Sequence, residues 1–186
     1  MQHTTDKHSP TITELLTAGV WYAEGHTQRV VELVLNNPDL FGELMECLLS
    51  ADKGVGKRAA MALEFVSERQ PVWFAPYKEI LLDELAEQPR WYVLYRICVI
   101  VPRLPLNRQE RARAVERLRE LADSPQNALS VSALTGLVML ALPPHANDAA
   151  LREEVTWLVE QKMRNGTKAM QARCRHLLPQ LYGAQA

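Results

Sequence analysis

The stretch "ADKGVGKRAAMALEFVSERQP", residues 51–71, decides the fold. Its Gly54-Val55-Gly56-Lys57 segment has the outline of a phosphate-binding loop. Such a loop needs a strand in front of it, a glycine-rich turn, and Gly-Lys-Ser/Thr opening a helix; the lysine reaches the phosphates and the hydroxyl holds magnesium. Here Arg58 takes the hydroxyl position, and Ala51 stands where the first loop glycine belongs. The segment in front, "ELMECLLS" at 43–50, is patterned as a helix rather than a strand. The stretch therefore reads as a helix-to-helix turn. Gly54 ends one helix, the next begins near Val55, Ala59, Ala60 and Leu63 face a core, and Pro71 is the stop.

Outward from this stretch the pattern returns. Pro71 and Pro105 are 34 residues apart, and laying the second unit on the first pairs Arg58-Ala59-Ala60 with Tyr92-Val93-Leu94 and Leu63 with Ile97. Later units run to 36–40 residues. Apolar residues recur at spacings of three and four throughout, and no strand pattern emerges. "RQERARAVERLRELADS" places Ala112, Val115, Leu118 and Leu121 on one face, "LREEVTWLVEQKM" groups Leu151, Val155, Leu158 and Val159, and "YKEILLDELAE" groups Leu81, Leu82 and Leu85. Helices are expected near 11–23, 27–36, 38–50, 55–69, 74–87, 90–103, 108–122, 126–142, 148–164 and 167–182. Those at 38–50, 74–87, 108–122 and 148–164 are charged and amphipathic, whereas those between them are apolar around most of their circumference.

The boundaries carry their own chemistry. Thr11 with Glu14, and Asn107 with Glu110, fit capping boxes. Asn37-Pro38 and Ser124-Pro125 each set a capping side chain before a proline at the first helical position. Asn165-Gly166 and Gly183 follow helix ends, and Pro179 is expected to kink the last helix or end it early. Helix pairs repeating every 34–40 residues cannot bury their apolar faces alone and must stack. The expected fold is all-α: an α-α superhelix, a HEAT-like solenoid of four to five antiparallel helix pairs over 11–183, preceded by a polar tail at 1–10.

In Asp52, Arg58, Ala59, Ala62 and Leu63 the opening stretch resembles the signature of the second helix of a HEAT repeat. More closely, the chain resembles a group of small uncharacterised bacterial HEAT-like proteins. The shared features are Arg-Ala-Ala-x-x-Leu at 58–63, Pro71 followed by Pro76-Tyr77, and "QARCRHLLPQL" at 171–181. The third unit departs from the repeat, since Tyr92 takes the place of its arginine. The resemblance implies that the second helix of each pair lines a concave face. Lys57, Arg58, Arg96, Lys168, Arg173 and Arg175 lie on such helices, so they are the candidate partner-binding residues. The competing role for them is an Asp–Arg ladder between repeats, with Asp52 pairing Arg58 or Arg96.

Composition excludes more than it assigns. Net charge is −1, which gives no global pull toward nucleic acid or membrane, and no apolar run is long enough to span a bilayer. Residues 1–50 carry two basic and seven acidic side chains, while 106–186 carry eleven and eight. Cys47, Cys98 and Cys174 are too far apart in sequence for a redox or zinc pair and read as small core hydrophobes. His3, His8, His26, His145 and His176 form no metal motif, and Cys174 and His176 lie on different azimuths of one helix. The N-terminus lacks a secretory pattern, which points to the cytoplasm. Some HEAT-like DNA glycosylases use tryptophans with an aspartate; Trp91, Tyr92, Asp52 and Lys57 are the nearest equivalents among a set that includes Trp21, Trp73 and Trp157. The expected function is non-catalytic and cofactor-free: an adaptor for a protein or peptide. A DNA-interacting enzyme of the alkylation-repair kind and a structural or regulatory subunit of a larger complex are the alternatives.

Overall fold

The computed structural model describes residues 11–17, 26–86, 90–143 and 148–183. These residues form ten α-helices: α1 (Ile12–Thr17), α2 (Thr27–Asn36), α3 (Phe41–Leu48), α4 (Lys53–Arg69), α5 (Lys78–Ala86), α6 (Trp91–Ile100), α7 (Arg108–Leu121), α8 (Asn127–Ala141), α9 (Ala149–Asn165) and α10 (Lys168–Gly183). Short 3₁₀ turns cover Pro38–Leu40, Pro71–Tyr77 and Val101–Arg103. Each of them begins at or one residue before a proline, where the missing N–H is least needed. The described residues contain no strand. The chain divides into two compact units, Met1–Val66 and Ser67–Ala186, and the division falls within α4. The polar tail, Trp21, His3, His8 and His145 lie outside the described residues.

In the first unit α1 packs on α2 and α3. The Thr11–Glu14 capping box forms, with Glu14 N–H donating to Thr11 Oγ1 at 3.1 Å and Thr11 N–H to Glu14 Oε2 at 2.9 Å. Ile12, Leu15, Leu16, Leu44 and Leu48 are buried, as are Ala59, Ala60 and Leu63 of α4. Gly54 corrects the expected turn. It does not end a helix but lies in the first turn of α4, which Asp52 caps by accepting from Val55 N–H at 2.9 Å. The glycine leaves room for two side chains: a Cβ there would lie 2.7 Å from Arg58 Nη2 and 3.1 Å from Asp52 Oδ1. Asn37 likewise forms no side-chain cap.

The second unit has two layers. The helices α5 and α7 touch each other, α6 touches α8, and α8 touches α10; the sequential pairs α5–α6, α7–α8 and α9–α10 also touch. Helices α6, α8 and α10 thus form an inner layer with α8 at its centre, and α5, α7 and α9 the outer one. Gly136 permits the closest inner contact, because a Cβ there would sit 2.1 Å from the backbone oxygen of Cys98. The Asn107–Glu110 capping box forms at α7. Three details differ from expectation. Ala114, not Ala112, turns into the core of α7. Gln126, not Ser124, is the cap position of α8. The last helix continues through Pro179 to Gly183, where the exposed proline only frees the carbonyl of Arg175 near the helix end.

Candidate partner-binding surface

The six candidate cations fall into different environments. Arg58 is 2% exposed, and its Nε donates to the Leu16 carbonyl at 2.5 Å, which ties α4 to α1. That burial makes it a structural residue and removes its side chain from any docking surface. Lys57 is half-buried, as is Arg96, whose guanidinium lies 4.8 Å from the Tyr95 ring centroid. Lys168, Arg173 and Arg175 are exposed on α10. Among the described residues, Lys168 and Arg175 have no hydrogen bond or ion pair.

A polar ladder does exist, but it is built on the outer helices. Lys78 donates to both oxygens of Glu110 at 2.8 and 2.7 Å and to the Pro105 carbonyl at 3.2 Å. Arg113 reaches Glu79 at 2.9 Å and Asp83 at 3.3 Å, and Arg117 Nε donates to the Leu85 carbonyl at 2.9 Å. Arg119 is bidentate to Glu154 at 2.7 and 2.9 Å, and Lys162 meets Asp123 at 2.5 Å. These partners lie 27 to 39 residues apart, a range that overlaps the 34–40-residue period read in the sequence. A cleft of about 540 Å³ opens between α7 and α9, walled by Arg111, Arg119, Asp148 and Glu154. Its charges neutralise one another, since Arg111 pairs with Asp148 at 3.5 Å and Arg119 with Glu154. The Lys78 hydrogen bond also holds the Glu110 carboxyl below the usual carboxylate range.

The inner layer has the opposite charge pattern. The chain has 22 acidic residues, and none lies in α6, α8 or α10. The non-buried stripe of α8 consists of Ala128, Val131, Ser132 and Met139, with Thr135 along the same line. The α8 positions that meet the α7 region, Ser130, Gly136 and the Leu140 carbonyl, lie off this stripe. From α10, Arg173 Nε donates to Thr135 Oγ1 at 3.0 Å, and Thr135 Oγ1 in turn donates to the Val131 carbonyl at 2.8 Å. The arginine is thereby anchored over the α8 stripe, and neither of its Nη groups has a partner among the described residues. His176 is exposed on the same side of α10. On α9, Glu160 accepts from Tyr182 and pairs with Arg164. Sequence patterning missed Thr135, and the signal that could have led to this layer was the absence of Asp and Glu from three whole helices.

The remaining reactive groups are separated. Cys174 is fully buried while His176 is exposed, and burial raises the Cys174 thiol above its ordinary range. Cys98 is pushed up to about 12 by burial. The three cysteines are free and buried. Among the described residues no cluster of His, Cys, Asp and Glu has the form of a metal site, and no helix is long and apolar enough to cross a membrane. Trp91 is 44% exposed and meets Tyr92 edge-on at 6.2 Å, and Trp157 is 60% exposed. Compared with protein-family models, with curated proteins and with solved structures, the chain finds no match.

Proposed function

We propose that this protein is a non-catalytic adaptor that binds a protein or peptide through the inner helices of a HEAT-like solenoid. The observation that carries the reading is the charge segregation of the second unit. Its outer helices hold acids and bases that pair across the repeat spacing, whereas its inner helices hold cations and no carboxylate. A stack of helix pairs whose neighbours are braced at the repeat spacing is the arrangement expected of a solenoid. The same segregation weighs against the glycosylase alternative. An activated water needs a general base, and α6, α8 and α10 offer no Asp or Glu beside the exposed Trp91. Asp52 is occupied as the cap of α4.

The test is hydrogen exchange on a complex isolated from the native host by affinity capture and identified by mass spectrometry. Binding is expected to slow exchange in α6, α8 and α10. Protection confined to α5, α7 and α9, or recovery of no partner above background, would overturn the reading.

A further inference from the structure

We infer that the occupant of this inner surface is a carboxylate-rich peptide segment, seated across α8 and α10 with one of its acids on Arg173. The inference rests on the adaptor reading and narrows it. Three observations carry it. The α6–α8–α10 layer contains no Asp or Glu, so an acidic ligand meets no fixed carboxylate on those helices. On α10, Arg173 contacts α8 and His176, one turn on, shares its azimuth, whereas Lys168 and Arg175 lie on the opposite flank of the helix and are not part of the seat. Finally, the Arg173–Thr135–Val131 relay fixes one guanidinium in advance. A guanidinium anchored at Nε keeps its two terminal nitrogens for a carboxylate, in the planar fork geometry that lysine lacks. Between cation positions the stripe is Ala128, Val131, Ser132 and Met139, which suits the apolar and small side chains of such a peptide better than stacked bases. A net charge of −1 and an acidic first 50 residues also oppose a nucleic-acid backbone.

Thr135 is a positioning residue here, because it acts through Arg173. The probe is a fluorescein-labelled twelve-residue peptide alternating Glu with Ser and Leu, titrated in fluorescence anisotropy at low salt beside its Gln counterpart and a twelve-nucleotide oligo-dT. The full chain is expected to bind the Glu peptide at least tenfold more tightly than either control, with affinity falling as salt rises. Arg173→Glu should weaken it at least tenfold and Arg173→Lys severalfold. Thr135→Val should weaken it about threefold with no change in net charge. Arg113→Glu on the outer layer should stay within twofold, and circular dichroism confirms that each variant is folded. Equal binding of the Glu and Gln peptides, or tighter binding of oligo-dT, overturns the inference. So does an Arg173→Glu variant that binds like the parent. If hydrogen exchange still places a captured partner on the inner layer, the adaptor reading survives that failure and only the acidic-peptide assignment falls.

Discussion

The outer and inner layers of the second unit use charge in opposite ways. On α5, α7 and α9 several basic side chains end on an acid of a neighbouring helix, as with Lys78–Glu110, Arg113–Glu79 and Arg119–Glu154. On α6, α8 and α10 apolar packing closes the core, and the cations, half-buried at Arg96 and exposed on α10, have no acids on their own helices. One layer pairs charges between neighbouring helices. The other carries cations and no carboxylate. A chain of near-zero net charge can thus confine its carboxylates to some helices and leave others with cations alone.

Gly136→Ala should have the largest effect, at the α6–α8 contact of the inner layer. Alanine favours a helix interior over glycine by about 1 kcal/mol, but its Cβ would lie 2.1 Å from the Cys98 oxygen. That neighbour is backbone and cannot step aside, so the overpacking penalty of about 3 kcal/mol wins. A urea melt checks this, and an unchanged midpoint would show that α6 and α8 do not approach so closely. Arg58→Met tests the exception in the first unit. It removes a buried charged donor from the Leu16 carbonyl and should cost about 2–3 kcal/mol in the same assay. Retained stability would return Arg58 to the list of surface candidates.

Glu110→Gln sharpens the account of the outer layer. The lowered carboxyl means that folding favours the charged form, so its contribution is complete above the ordinary Glu value of about 4.3 and is lost as pH falls through the folded-state value. The substitution should cost about 1–2 kcal/mol at pH 7, and the gap to the parent should close under acid. Denaturant melts at pH 7 and pH 3 give the comparison. A gap that stays constant would mean that the Lys78 pair does not contribute.

Helix positions were legible in the sequence where local chemistry sets them. The capping boxes at Thr11–Glu14 and Asn107–Glu110 formed as their spacing implies, and Leu81, Leu82 and Leu85 are buried together. What was not legible depended on distant partners. Gly54 looked like a helix end because the side chain folded over it, Arg58, is drawn inward by the carbonyl of Leu16, 42 residues away. Pro179 looked disruptive because its neighbourhood at an exposed helix end was unknown. The candidate cations were chosen by helix type alone. That rule could not separate a buried Arg58 from an anchored Arg173 or an unpartnered Arg175, since azimuth and cross-helix partners decide the difference.

The most direct test is a matched pair of double charge reversals, melted at low salt. Lys168→Glu with Arg175→Glu alters the inner layer, and Lys78→Glu with Arg119→Glu alters the outer one. The outer pair sets like charges against Glu110 and Glu154, so its melting temperature should fall by about 5 °C. The inner pair loses no partner among the described residues and should melt within about 1 °C of the parent. Equal falls in the two variants would contradict the division into a self-paired layer and an open one.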